Sequence, residues 1–227
     1  MKATTWPRVK VCCIASVGEA RVAIAHGADA IGLVSEMPSG PGVIDETLIA
    51  EIAASVPAGI DTFLLTSRQS VEEIAAQQRR THVNTIQLCD DLPEGGRQEL
   101  RSALPGVSIV QVIHVDGDDA IDRARAVASH VDAILLDSGN QKLAIKELGG
   151  TGRRHDWTIS RRIREEVDVP VYLAGGLTAA NVAEAIATVQ PFGLDVCSGV
   201  RTDGRLDVGK LEAFVAAVRA KGASAVC

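Results

Sequence analysis

Leu173-Ala174-Gly175-Gly176-Leu177-Thr178-Ala179-Ala180-Asn181 reads as a short apolar strand that ends in two glycines and opens onto a helix. A further run then ends in Cys197-Ser198-Gly199-Val200 and leads to one more helix. Working back from this pair, apolar runs rich in β-branched residues begin near Val9, Asp29, Ile60, Thr85, Val107, Val131, Val169 and Gly193. Each is bounded by glycine, proline or polar residues, as buried strands are. Helical patterns lie between them. Ser16 with Glu19 and Ser70 with Glu73 match the capping box, and Asp45, Asp156, Thr178 and Asp207 are candidate N-caps.

The last helix carries Leu211, Phe214, Val215 and Val218 at i, i+3, i+4 and i+7, one apolar stripe, with Gly222 as an expected stop. Strict β/α alternation leaves an open doubly wound sheet or a closed barrel. Eight units spaced by about 26 residues, with glycine-rich turns late in the chain, favour a single-domain (β/α)8 TIM barrel over residues 1–227. The composition agrees: 46% of residues are apolar and only 3% aromatic, so the core is built from Ala, Val, Ile and Leu.

A formal net charge of −6 without runs of like charge argues against nucleic acid or an anionic membrane as the main partner. Five cysteines, two of them the neighbours Cys12 and Cys13, argue against a disulfide framework and for a reducing compartment. The first residues lack the apolar stretch of a signal peptide, and no run approaches the ~18 residues of a membrane span. The expected location is therefore the cytoplasm. His26, His82, His114, His130 and His155 are scattered, so no metal is expected, and no organic cofactor either. Oligomeric state is not legible.

In a β/α barrel the chemistry sits where strands end and helices begin. Gly175, Gly176, Ser198 and Gly199 fall at two such points, and Gly149-Gly150-Thr151-Gly152 follows the sixth run. Glycines let backbone N–H groups approach a ligand, and a helix N-terminus adds partial positive charge, which together suit a phosphate. The expected partner is a small phosphorylated substrate. Cys12 near the end of the first run and Asp137 at the end of the sixth should both face the mouth. Taken singly, a strand cysteine is usually a small buried hydrophobe, and a strand-end aspartate is often a turn former.

Taken in order, Lys10-Val11-Cys12, Ile86-Gln87-Leu88, Leu135-Leu136-Asp137, Gly149-Gly150-Thr151-Gly152 with Asp156-Trp157, Leu173 to Leu177, and Asp195-Val196-Cys197-Ser198-Gly199-Val200 resemble the phosphoribosylanthranilate isomerase family. The resemblance covers most of the chain. It implies an Amadori rearrangement of an aminated phosphopentose in tryptophan biosynthesis, with Cys12 as general base and Asp137 as general acid. It also implies a phosphate cradle at Gly150, Gly152, Gly175, Gly176, Ser198 and Gly199, with Lys10, Gln87, Arg154 and Asp195 as further candidates at the substrate.

The chemistry fits these residue types. Opening the furanose needs a proton on the ring oxygen, which a carboxylic acid delivers, and forming the enolamine needs removal of a proton from C2, which a thiolate accepts. A free thiol is mostly protonated at neutral pH, so a basic Cys12 calls for a neighbouring cation. Strand alternation puts Lys10 on the same face, although a lysine on a first strand can equally be a solvated surface charge.

The chain departs from the family at two loops. Cys12 is followed by Cys13-Ile14-Ala15-Ser16 where the family has glycine and a Thr-Arg pair. Pro38-Ser39-Gly40-Pro41-Gly42-Val43 replaces a Ser-Pro-Arg-Tyr-like segment whose arginine serves the anthranilate carboxylate. Gln87-Leu88-Cys89-Asp90 also lacks the family's histidine. Losing an Arg–carboxylate fork removes a geometrically specific contact, and Arg153, Arg154 and Arg201 are candidates to replace it. Three readings stay open: the family's own reaction, a related isomerisation of another phosphorylated sugar or aminosugar, or a non-catalytic phosphometabolite-binding barrel.

Overall fold

The computed structural model describes residues 6–139 and 154–224. Eight parallel strands, β1 (Arg8–Val11), β2 (Ala30–Val34), β3 (Asp61–Thr66), β4 (Thr85–Leu88), β5 (Ser108–His114), β6 (Ala133–Asp137), β7 (Val171–Leu173) and β8 (Gly193–Val196), close into a barrel in sequence order. Closure is made by β1 against β8, with Lys10 opposite Asp195. Helices α1 (Val17–Ala25), α2 (Glu46–Ser55), α3 (Val71–Thr81), α4 (Gly96–Ala103), α5 (Asp119–Ala128), α6 (Trp157–Glu166), α7 (Val182–Val189) and α8 (Val208–Ser224) follow the strands in turn. A hairpin of β9 (Arg201–Thr202) and β10 (Arg205–Leu206) lies between β8 and α8.

Alternation along each strand sorts the side chains into two layers. Val9, Val11, Ile31, Leu33, Ile86, Leu88, Ile134, Leu136, Leu194 and Val196 pack outward into an aliphatic layer shared with the helices. Inward, Cys12, Ala30, Val34, Phe63, Leu65, Val110, Val112, Ala133, Leu135 and Tyr172 form a smaller cluster. Lys10 is wholly buried within the barrel, its ammonium 5.0 Å from the centre of the Phe63 ring.

Several strands begin one or two residues after the expected start, and for β2 and β6 the reason lies at the bottom of the barrel. Asp29, Asn84 and Asp132 precede β2, β4 and β6, and their side chains accept the backbone N–H of Val9, Thr62 and Ile109 at 2.8, 2.9 and 2.8 Å. They clasp the neighbouring strand rather than extend their own.

Ser16, Ser70, Asp45, Asp156 and Asp207 cap their helices as expected. Thr178 does not. Asn181 accepts the Thr178 N–H at 2.8 Å and donates to the Gly176 carbonyl at 2.9 Å, folding residues 176–181 into a turn before α7 begins. Gly175-Gly176 therefore opens onto a turn rather than directly onto a helix. Gly222 does not stop α8, because an interior glycine weakens a helix by ~1 kcal/mol without breaking its ladder. Leu211, Phe214, Val215 and Val218 are buried as their spacing predicts.

Candidate active site

Strand alternation brings position 10 of β1 with Cys12 just beyond it, 87 of β4, 137 of β6 and 195 of β8 toward one axis. A cavity of about 630 Å³, including its opening to solvent, is lined by Cys12, Gln87, Asp137, Gly175, Gly176, Asp195 and Ser198. Cys12 is 5% exposed, and Asp137 and Asp195 are each 8% exposed. The loop after β2 contributes Met37, Ser39, Gly40 and Pro41 to the same cavity.

Lys10 is no surface charge. Its Nζ lies 2.8 Å from Asp195 Oδ2 and 3.8 Å from Cys12 Sγ. Burial by itself lowers the pKa of this ammonium, but the Asp195 carboxylate, with Cys12 alongside, outweighs that and holds the lysine above its ordinary range. Burial pushes the Asp195 carboxyl upward while Lys10 opposes the shift. Because an isolated buried carboxylate is costly, the 2.8 Å pair is best described as lysinium and carboxylate. The second Asp195 oxygen, Oδ1, is buried with no hydrogen-bond partner. So is Gln87 Oε1. Both residues line the cavity, so each brings an unsatisfied acceptor to its wall.

Room for this cluster comes from Gly32 on β2. A Cβ there would stand 2.8 Å from Cys12 Sγ and 3.2 Å from Lys10 Nζ. Asp137 Oδ1 accepts the Ser138 N–H at 2.7 Å, which fixes the carboxyl at the end of β6. Two histidines lie within electrostatic reach of Asp137: burial lowers His114, and lowers His155 to about 4. Both are neutral at pH 7, so neither sets a permanent cation beside the carboxyl.

At the β7–β8 side the main chain comes unusually close. A Cβ on Gly199 would be 1.9 Å from the Leu177 carbonyl oxygen, so only glycine fits where the two turns cross. Gly175 and Gly176 have φ of +83° and +63°. Gly150 and Gly152 of the expected cradle, with Gly149 and Arg153, lie outside the described residues.

The remaining expected arginines have other partners. Arg154 pairs with Glu184 at 2.8 Å and stacks over Trp157 at 3.6 Å. Arg201 is clasped by Glu19 at 3.1 Å and donates to the Cys12 and Cys13 carbonyls. This arginine braces the turn after β1.

Three residues were not singled out in the sequence. Arg68, after β3, lines a second hollow with Glu36, Met37, Pro38 and Ser67, and Met37 is common to both hollows. Its guanidinium has an exposed Glu73 carboxylate at 3.4 Å. Cys13 and Cys197 meet across the cavity wall. No motif links these positions, so only the closed barrel reveals them.

The model of the N-(5'-phosphoribosyl)anthranilate (PRA) isomerase family matches residues 9–217. N-(5'-phosphoribosyl)anthranilate isomerase 2 of Methanosarcina mazei is 40% identical over 210 residues, 92% of each chain. The N-(5'-phosphoribosyl)anthranilate isomerase of Haloferax volcanii is 40% identical over 219 residues, 95% of each chain. Among solved structures, the phosphoribosyl anthranilate isomerase of Thermococcus kodakaraensis superposes with a TM-score of 0.78 at 33% identity, covering 94% of this chain and 99% of that one. With the fold, the ordered motifs and relatives along nearly its whole length in agreement, this chain belongs to the N-(5'-phosphoribosyl)anthranilate isomerase family.

Proposed function

We propose that the barrel isomerises N-(5'-phosphoribosyl)anthranilate to its 1-amino-1-deoxyribulose phosphate, with Asp137 as general acid and Cys12 as general base. The observation that carries this reading is the shared cavity: a carboxyl from β6 and a thiol from β1 line one space with the glycines of β7 and β8. Asp137 delivers a proton to the furanose oxygen as the C1–O bond breaks, and the anthranilate nitrogen lone pair forms the iminium. Cys12 then takes the proton from C2, giving the enolamine, which tautomerises to the ketose. One proton enters from Asp137 and one leaves to Cys12; Cys12 then releases its proton and Asp137 regains one, so the sum is an isomerisation that consumes no oxidant or reductant.

Lys10 places its ammonium 3.8 Å from the Cys12 sulfur, beside the group assigned the proton abstraction. Asp195 Oδ1 and Gln87 Oε1 are suited to accept sugar hydroxyls. The phosphate is assigned to the turns at Gly175-Gly176 and Ser198-Gly199, with Gly150 and Gly152 as further members. For the anthranilate carboxylate, missing its arginine in the loop after β2, we propose Arg68, whose hollow adjoins the cavity through Met37.

Residues 1–227 are proposed to act as one domain, and a cytoplasmic location belongs to the same reading. Among the described residues no helix is long and apolar enough to cross a membrane. The test is direct: purified protein given N-(5'-phosphoribosyl)anthranilate should yield the ketose. Absence of conversion, with turnover of another phosphorylated aminosugar instead, would favour the related-isomerase reading that the altered loop invites.

A further inference from the structure

The sulfurs of Cys13 and Cys197 lie 2.8 Å apart, although 184 positions separate them in sequence. Both are free thiols, both line the cavity, and neither takes part in the acid–base scheme above. A disulfide needs S–S of ~2.05 Å, so bonding requires an approach of less than about 1 Å.

The backbone holds the pair in place. Cys12 N–H donates to Val196 at 2.8 Å, Ile14 N–H donates to Gly32 at 3.0 Å, and Arg201 grips the Cys12 and Cys13 carbonyls. Cys13 is thus fixed between two strand contacts, and Cys197 directly follows β8. The two backbones cannot move apart without opening the β1–β8 seam, so the two thiols stay within reach of one another.

We infer that Cys13 and Cys197 form an oxidative modification site in the cavity wall, closing to a reversible disulfide with a peroxide and halting turnover. With hydrogen peroxide the balance is two thiols plus H₂O₂ to one disulfide plus two waters. The Cys197 thiolate attacks a peroxide oxygen, the O–O bond breaks, and sulfenic acid forms with release of the first water. The Cys13 sulfur then attacks the Cys197 sulfur, the S–O bond breaks, and the second water leaves.

Geometry also sets the order of attack. Cys197 is partly exposed while Cys13 is buried, so the oxidant reaches Cys197 first. The hydrogen bond shared with Cys13 lowers the Cys197 thiol from its ordinary value, in the same direction. The crosslink would tie the residue after Cys12 to the residue before Ser198, drawing together the base and the proposed phosphate turn. Only this arrest of turnover rests on the proposed function; the crosslink itself does not.

The full chain should be treated with hydrogen peroxide, alkylated and mapped by mass spectrometry. The expected result is a loss of about 2 Da, two hydrogens, in one peptide pair joining positions 13 and 197. Turnover should fall at least tenfold and return with dithiothreitol. Following named peptides keeps Cys227 out of the count. Cys197→Ser should lose the crosslink and slow inactivation at least tenfold relative to its own untreated rate, and Cys13→Ala provides the same check should that variant fold poorly.

Oxidation of Cys12 alone, with Cys13 and Cys197 still open to alkylation, would overturn the inference. So would a crosslinked protein that turns over normally. If the reduced enzyme makes no ketose at all, the proposed function fails while the peptide map still decides the disulfide.

Discussion

The two ends of the cavity are built from different materials. On the β7–β8 side the wall is main chain, held by a carbonyl–glycine crossing so tight that no side chain fits at Gly199, and by Asn181 bridging both ends of the turn. On the β2–β3 side it is made of loop side chains, Met37, Ser39 and Pro41, with Arg68 behind them. Backbone amides can bind a phosphate whatever the local side chains are, and that end, proposed for the phosphate, keeps its motif. Side-chain recognition depends on the residue itself, and there this chain departs from its family's pattern.

Between the two ends stand the groups proposed for chemistry, where substitution should cost most. Cys12→Ala or Asp137→Asn should each lower kcat by ~10²–10⁴-fold with KM little changed, read by steady-state turnover. A KM effect alone would assign them to binding. Lys10→Met leaves Asp195 buried without its partner and should destabilise the fold by about 3–5 kcal/mol, measured by denaturant unfolding. If stability holds, the ion pair described at the β1–β8 seam does not form.

The next tests separate the two ends directly. Gly199→Ala forces apart the turns at Leu177 and Ser198. It should cost roughly 1–3 kcal/mol in stability, as overpacking does, and raise KM for the phosphorylated substrate. Arg68→Ala should leave stability unchanged and raise KM about tenfold, the loss of one charge-assisted contact of ~1.4 kcal/mol. An unchanged KM would remove Arg68 from the aryl end and leave that end without a described cation.

The smallest effect concerns pH. Burial lowers folded His155 to about 4 from its ordinary 6.5. The unfolded chain then binds the extra proton between those values, so stability falls as pH drops through this window. Between pH 7 and pH 5.5 the loss from this group should be about 1 kcal/mol, seen as a fall in Tm that His155→Gln reduces.

The unequal construction also explains what could be read in the chain. Strand order, helix faces and the residues gathered in the cavity were legible because alternation and the i, i+3, i+4 pattern report burial directly. That Cys12 and Asp137 share the cavity was legible because strand ends in a closed barrel converge. The turn held by Asn181 was missed because threonine and asparagine are both common N-cap residues, and only the folded turn decides between them. The burial of Lys10 was left open, since its partner lies 185 positions away across the barrel closure. Arg68, Cys13 and Cys197 carry no local signal, because their neighbours are set by the way loops fold over the rim.

The polar clasps at the barrel floor carry a last consequence. Asp29 ties β1 to β2, Asn84 ties β3 to β4, and Asp132 ties β5 to β6, each through the N–H of the second residue of the odd strand. Among the described residues β7–β8 has no such clasp, and the Tyr172 and Phe192 rings meet edge to face instead. The wall is therefore assembled from two-stranded modules, and its seams fall at α2, α4 and α6. New termini placed in those helices would leave every clasp within an unbroken stretch of chain, whereas a cut through α1, α3 or α5 would divide a module.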